Sequence, residues 1–181
     1  ILELSSFQLD IMTRSPHVGA VLNITPNHLD RHPSMADYTR AKANIITFQT
    51  PDDVAVLERD DAGAWGLKEL VKGKLVTFGR EPVRDLTPGW VADVHLRGDE
   101  IVIWDGHHAQ PVMSRADILL RGEHNVVNVM AACAISFAAG LPFALPRSAT
   151  SRPTGCASCF PGMAFPHWLR EASMSDRYPD I

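Results

Sequence analysis

The sequence predicts an α/β protein with a mostly parallel sheet flanked by helices and an antiparallel hairpin, and three observations support this fold class. Short continuous apolar runs bounded by turn formers lie at residues 18–24, 54–57 and 75–78, as in strands covered on both faces. Segments with helical spacing of apolar residues alternate with these runs. Residues 91–96 and 101–104 flank a turn of Arg-Gly-Asp-Glu, which predicts the hairpin.

The remaining elements follow from local signals. Residues 1–4 resemble the end of a further buried strand, and Ser34 with Asp37 forms a capping pair for a helix over 35–48. Two more helices are predicted, over residues 60–71 and over the Ala-rich segment 126–139.

Two regions are predicted along the chain. Residues 1–142 carry the alternating pattern and form part of a domain. Residues 143–181 combine five prolines with no sustained period, so we expect an irregular segment that is poorly ordered or comes from a shifted reading frame.

Composition limits the function classes. Hydrophobic residues make up 45% of the 181 residues, enough for a core. A net charge of -4, with the 17 basic residues scattered, argues against nucleic-acid binding. No apolar run approaches the roughly 18 residues of a membrane helix, so no membrane insertion is expected. Three cysteines without a regular framework favour a reducing, cytoplasmic location.

Glu3 and His28 each follow an apolar run, where an open α/β sheet presents its chemistry. A carboxylate such as Glu3 can hold Mg²⁺, which prefers oxygen ligands, and His28 can bind a metal or contact a phosphate. The alternatives are a capping or surface glutamate and a hydrogen-bonded loop histidine.

Lys42 lies within the predicted helix over 35–48, between Ala41 and Ala43. Its default role is that of a solvated helical lysine. If the amine turned toward a site and lost its proton, it could react with carbon dioxide to give a carbamate, which is an anionic oxygen ligand.

Asn125 and Asn128 lie three residues apart at a predicted helix start, which puts both amides on one face beside N–H groups that favour anions or polar rings. Capping alone explains Asn125 as well. The pair Cys156 and Cys159 has zinc-knuckle spacing, with His167 downstream, but a single pair in an irregular segment predicts no metal site.

These motifs together resemble the central domain of the Mur ligases, the ATP-dependent amide-forming enzymes of peptidoglycan synthesis. The resemblance covers residues 1–142 and rests on Glu-Leu-Ser-Ser-Phe-Gln-Leu at 3–9, Asn-His-Leu-Asp-Arg-His at 27–32 and Gly-Glu-His-Asn at 122–125. It is also carried by Tyr38 with Ala41-Lys42, and by Asn128. Segment 3–9 is most similar to the members that add D-glutamate to UDP-N-acetylmuramoyl-L-alanine.

The resemblance implies a P-loop NTPase-like domain and a cytoplasmic, monomeric ligase that serves cell-wall synthesis, cell shape and cell division. Its partners would be ATP, Mg²⁺, UDP-N-acetylmuramoyl-L-alanine and D-glutamate, with an acyl phosphate as intermediate. Glu3, His28 and Lys42 would be metal ligands, with His28 and a carbamylated Lys42 catalytic. Asn125 and Asn128 would contact the nucleotide.

The chain departs from the family pattern in three respects. Asn27 replaces a commonly acidic residue, no Gly-x-x-x-x-Gly-Lys-Ser/Thr phosphate loop occurs in the sequence, and the amino-acid-binding domain is not recognisable after Pro142. We therefore expect a fragment that is inactive alone. Two alternatives stay open, a sibling ligase that adds a diamino acid, against which Phe7-Gln8 argues, and a non-catalytic partial gene product.

Overall fold

The fold is taken from a computed structural model that describes residues 1–26 and 32–141. His28, Asn27 and the segment 143–181 with Cys156, Cys159 and His167 lie outside the described residues, so the predictions made for them are not addressed by the structure.

A six-stranded sheet forms the centre of the fold, and its strands lie side by side in chain order. The strands are β1 Val18–Val21, β2 Val54–Glu58, β3 Lys74–Phe78, β4 Trp90–Arg97, β5 Glu100–Trp104 and β6 Ala109–Ser114. The first three pairings are parallel, with Val18 beside Val54 and Val54 beside Lys74. The pairs β4–β5 and β5–β6 are antiparallel. The mostly parallel sheet with an antiparallel edge is thus confirmed.

Helices cover both faces of the sheet. They are α1 Ser6–Asp10, α2 Met35–Thr47, α3 Ala62–Trp65 with a 3₁₀ turn at Gly66–Leu70, and α4 Glu123–Ala138, which follows a short 3₁₀ turn at Arg115–Asp117. The α4 face packs on the alternate residues Val54, Val56, Val76, Phe78, Ala92 and Val94. The opposite face, with Ala55, Leu57 and Leu75, packs on α2 and α3. This alternation is the period of two that strands impose on their side chains.

The sequence predictions need correction at residues 1–4, at residues 60–71 and at strand β6. Residues 1–4 form no strand, because they pair with no strand of the described sheet, and Ile1 and Leu2 are each 85% exposed. The segment 60–71 is only partly α-helical; glycines at 63 and 66 weaken an α-helix, and the chain tightens into a 3₁₀ turn. Strand β6 was not predicted because Pro111 lies within it, which an edge strand tolerates.

A buried ionic cluster lies on the sheet face opposite α4. The side chain of Asp93 is fully buried and accepts hydrogen bonds from Arg59 Nε at 2.9 Å and Thr77 Oγ1 at 2.6 Å. Nδ1 of His95 lies 2.9 Å from the second carboxylate oxygen. The carboxylate of Asp93 in β4 therefore connects that strand with β3 and with the residue that follows β2.

Candidate functional site

A polar cavity of about 290 Å³ lies at the carboxyl ends of β1 and β2, beside the first turn of α4. Its lining consists of Leu22, Asn23, Thr25, Glu58, Asp60, Asp61, Arg80, His124, Val127 and Asn128. The carboxyl edge of a parallel sheet is where open α/β folds bind their ligands. The cavity is therefore the candidate functional site of the described residues.

Two side chains fix the end of β1 at the cavity. The Oδ1 atom of Asp61 accepts hydrogen bonds from the backbone amides of Ile24 at 3.0 Å and Ala64 at 2.7 Å, so it also caps α3. Gly63 allows this close approach, since a Cβ there would lie 2.6 Å from the Cβ of Ile24. From the other side, Lys42 Nζ donates to the carbonyl oxygen of Asn23 at 2.9 Å. The peptide between residues 23 and 24 is thus held by both an anion and a cation.

The start of α4 forms part of the cavity wall. Its N-cap residue is Gly122, whose φ of 104° suits glycine, and no side chain caps the helix there. First-turn N–H groups without a side-chain cap are a favourable place for an anion. His124 and Asn128 from this helix line the cavity. The amide of Asn125 instead donates to the carbonyl oxygen of Arg121 at 2.7 Å, and Asn125 is not among the lining residues.

Glu58 has an unusual environment for a carboxyl group. It is the last residue of β2 and exposes only 9% of its surface. Burial, together with the neighbouring carboxylates of Asp61 and Asp60, raises the pKa of Glu58 from 4.5 to about 7, although Arg80 acts in the opposite direction. Near neutral pH the group is therefore divided between its acid and carboxylate forms.

This shift predicts a pH dependence of stability. The folded chain binds the Glu58 proton more tightly than the unfolded chain, so stability falls as the pH rises from 4.5 to about 7. The full loss is about 3 kcal/mol. The Glu58→Gln variant lacks this titrating group, so its stability should not show this loss as the pH rises. Urea unfolding at pH 4.5 and pH 8 should therefore show that the free energy of unfolding of the variant, relative to that of the parent, is higher at pH 8 than at pH 4.5. The exposed Glu69→Gln variant is the control, and parallel pH curves for parent and Glu58→Gln would contradict the assignment.

The described residues that the sequence singled out differ in their position relative to the cavity. Glu3 is exposed and does not line the cavity; the next residues form the start of α1, where Ser5 and Gln8 make a capping box. Lys42 contacts the cavity rim through Asn23, and Asn128 lines the cavity itself. The metal-ligand roles of Glu3, His28 and Lys42 stay predictions, as do the nucleotide contacts of Asn125 and Asn128.

A row of packed rings connects α1 with Lys42. His32 is buried, its Nε2 lies 2.9 Å from Ser6 Oγ, and its ring stacks on Phe7 with centroids 5.3 Å apart. The Tyr38 ring also packs against His32, in a tilted arrangement, and the Lys42 ammonium lies 5.1 Å from the Tyr38 ring centroid. His32 therefore has a structural role. Its contacts connect the residues after Glu3 with α2, the helix that carries Lys42.

The described residues contain neither a preformed group of metal ligands nor a membrane-spanning helix. Within 1–26 and 32–141, no three His, Cys, Asp or Glu side chains are grouped so that they could hold a metal ion. Magnesium does not require such a cage, because it commonly uses one or two carboxylates with phosphate oxygens and water. In the same residues, no helix has the length and apolar character needed to span a bilayer.

Sequence reasoning missed the five ionisable residues of the lining, namely Glu58, Asp60, Asp61, Arg80 and His124. The signal that could have found the first four was available, because they follow the apolar runs at 54–57 and 75–78 just as His28 follows the run at 18–24. Examining the residues that follow every predicted strand, rather than only those after the first two, would have identified these four residues.

Fold and cavity place the chain among the α/β proteins that bind ligands at the carboxyl edge of a parallel sheet. The model of the Mur ligase middle domain matches residues 1–136. The chain belongs to the Mur ligase family, as the sequence motifs indicated.

Curated relatives support the same assignment. The chain is 42% identical over 135 residues to the UDP-N-acetylmuramoylalanine–D-glutamate ligase of Desulfitobacterium hafniense strain Y51, covering 74% of this chain and 28% of that protein. It is 37% identical over 155 residues to the enzyme of that name from Symbiobacterium thermophilum, covering 86% and 33%. The chain thus spans a third or less of the length of these relatives.

Among solved structures, the fold is similar to that of MurF from Acinetobacter baumannii. In one crystal structure of that protein the TM-score is 0.52 at 25% identity, and the match covers 74% of this chain and 28% of the other. This identity is lower than that to the D-glutamate ligases.

Proposed function

We propose that this chain is the central part of an ATP-dependent ligase that joins D-glutamate to UDP-N-acetylmuramoyl-L-alanine in peptidoglycan synthesis. The observation that carries the proposal is the 42% identity to the D. hafniense ligase over 135 residues. In the proposed reaction, the muramoyl-peptide carboxylate attacks the γ-phosphate of ATP, the bond from that phosphorus to the β,γ-bridging oxygen breaks, and ADP leaves as the acyl phosphate forms. The amine of D-glutamate then displaces phosphate, and the amide bond forms.

The start of α4 is the proposed nucleotide site. Asn128 lines the cavity beside uncapped helix N–H groups, a favourable setting for a polar base and for anionic oxygens. The side-chain amide of Asn125 already donates one hydrogen bond to the carbonyl oxygen of Arg121. A contact between Asn125 and a nucleotide would therefore use the second amide hydrogen or the amide oxygen.

Glu3, His28 and Lys42 are the proposed magnesium ligands. When bound, magnesium would act as a Lewis acid and as a template for the crowded phosphate and carboxylate oxygens. Glu3 supplies the oxygen type that the ion prefers. Lys42 would contribute after its neutral amine forms an N–C bond to carbon dioxide and loses a proton, which converts it to a carbamate. Its hydrogen bond to the Asn23 carbonyl already brings Nζ to the rim of the cavity.

A domain graft tests the proposal. Residues 1–136 of this chain replace the matching segment of the D. hafniense ligase, and phosphate release is measured with ATP, Mg²⁺, UDP-N-acetylmuramoyl-L-alanine and D-glutamate. We expect D-glutamate-dependent turnover within about tenfold of the host enzyme, a barrier change of about 1.4 kcal/mol.

The matched control places the same segment in A. baumannii MurF, where we expect no turnover with that enzyme's own substrates. A folded D. hafniense graft without activity, as judged by circular dichroism, would favour the non-catalytic alternative. Activity only in the MurF host would favour a sibling ligase.

A further inference from the structure

The segments that follow β2 and β3 line the cavity together, and hydrogen bonds connect them. Asp60 and Arg80 are both lining residues. The backbone amide of Arg80 donates to Oδ2 of Asp60 at 2.8 Å, and the carbonyl oxygen of Arg80 accepts from the amide of Leu96 at 3.1 Å. The main chain at Arg80 is therefore bound on one side to the segment after β2 and on the other side to β4.

Arg59 connects the same two segments from outside the lining. Successive residues along a strand direct their side chains to opposite faces, so Glu58 lines the cavity whereas Arg59, the next residue, does not. Nη2 of Arg59 donates to the carbonyl oxygen of Glu81 at 2.6 Å. Since Glu81 directly follows Arg80, this contact fixes the main chain beside a lining residue.

Asp93 anchors the guanidinium of Arg59. Nε and Nη2 of the arginine donate to the two carboxylate oxygens at 2.9 and 3.3 Å, and the arginine side chain is only 12% exposed. Thr77 and His95 contact the same carboxylate and fix its orientation. Arginine can make these contacts and reach Glu81 at the same time because its donors form a rigid planar fork, which lysine lacks.

Gly79 provides the space that this arrangement requires. A Cβ at this position would lie 2.9 Å from Nη2 of Arg59 and 3.0 Å from Oδ1 of Asp60. Both distances are shorter than the optimal separation of non-bonded atoms. A side chain at position 79 would therefore displace the guanidinium or the aspartate, so the glycine is part of the same arrangement.

We infer that Arg59 is a positioning residue of the candidate site: anchored on Asp93, it holds the main chain at Arg80 so that Asp60 and Arg80 stay on the cavity wall. The buried ionic cluster thereby determines the shape of the cavity as well as contributing to stability. The effect on turnover rests on the ligase function proposed above, whereas the placement of the main chain can be measured without it.

Hydrogen exchange in the isotope-labelled 181-residue chain tests the placement. The amide of Arg80 reports on the segment after β3, and the amide of Val76 within β3 reports on opening of the sheet. In Arg59→Lys, which keeps the charge but loses the fork, protection at Arg80 should fall about tenfold more than at Val76. Gly79→Ala leaves Asp93 in place and should give the same selective loss, so the result does not depend on one variant.

Arg40→Lys is the matched control for Arg59→Lys. Nη2 of Arg40 lies 2.9 Å from an oxygen of Asp37, but this arginine is 70% exposed. Protection in the control should equal that of the parent. An Arg80 amide that is unprotected in the parent, or that loses no more protection than Val76 in both test variants, would overturn the inference.

The KM for ATP separates positioning from stability in the D. hafniense graft. A misplaced cavity wall weakens binding, so Arg59→Lys should raise the KM for ATP about fivefold while the turnover number stays within about twofold. Loss of folded enzyme would instead lower the apparent turnover number at an unchanged KM, and that result would overturn the inference. A graft without any turnover would count against the proposed function, and hydrogen exchange would still decide the role of Arg59.

Discussion

Replacing Asp93 with alanine is expected to lower the free energy of unfolding by about 4 kcal/mol. The carboxylate is fully buried and is the common acceptor of Arg59 and Thr77, with His95 also within contact distance. Its removal leaves a guanidinium that is 12% exposed without its counter-charge and a buried hydroxyl without an acceptor. Breaking a buried ion pair by removing one partner is strongly destabilising for this reason.

Urea unfolding of the parent and Asp93→Ala chains measures the effect. Asp99 lies in the turn between β4 and β5, and its side chain is exposed, so Asp99→Ala serves as the control. We expect that control to change stability by less than about 0.5 kcal/mol. A loss below about 1 kcal/mol in Asp93→Ala would mean that the cluster contributes little beyond packing.

The second large effect concerns Lys42 and turnover. In the D. hafniense graft, Lys42→Ala is expected to reduce the turnover number by about 10²–10³-fold, because the site would lose the carbamate ligand of a magnesium ion that stabilises developing charge. A small carboxylic acid such as acetate in the buffer should restore part of the activity by taking the place of the carbamate. Lys42→Arg should not be rescued, since guanidinium stays cationic and forms no such adduct.

Lys72 provides a matched control for Lys42. Its Nζ also donates to a main-chain carbonyl, that of Thr47 at 2.8 Å, at the far end of the same helix. Lys72→Ala should therefore leave turnover unchanged while removing a comparable hydrogen bond. Full activity of Lys42→Ala without added acid would exclude the carbamate role.

Local patterns were sufficient to predict much of the fold. The apolar runs at 54–57 and 75–78 correspond to β2 and β3, and Ser34 accepts from the amide of Asp37 as the cap of α2. These signals depend on residues within a few positions of one another. Strand β1 was predicted three residues too long, because Leu22 and Ile24 extend the apolar pattern of the strand. In the structure β1 ends at Val21, and Leu22 and Asn23 line the cavity instead.

The site and the ionic cluster depend on distant residues, which explains what the sequence could not show. Asp93 and Arg59 are 34 positions apart, and only the order of the strands brings them together. Glu58 ends an apolar run, and nothing local shows that its carboxyl group is buried without a described partner. The position of a residue at the end of a predicted strand indicated which edge of the sheet would carry the site. The hydrogen-bond partners and the burial of each side chain could be identified only from the three-dimensional fold.

The chain order of the strands has a consequence for synthesis on the ribosome. Each strand lies beside the strand made just before it, so every new strand finds its partner already available as it emerges. The sheet can therefore grow without waiting for a distant segment. Each new pairing closes only the stretch of chain between two consecutive strands. Helix α4 comes last among the described elements and covers the apolar row from Val54 to Val94. Among the described helices, α4 is the one that packs on this row, so these apolar side chains lack that cover until residues 123–138 have been made.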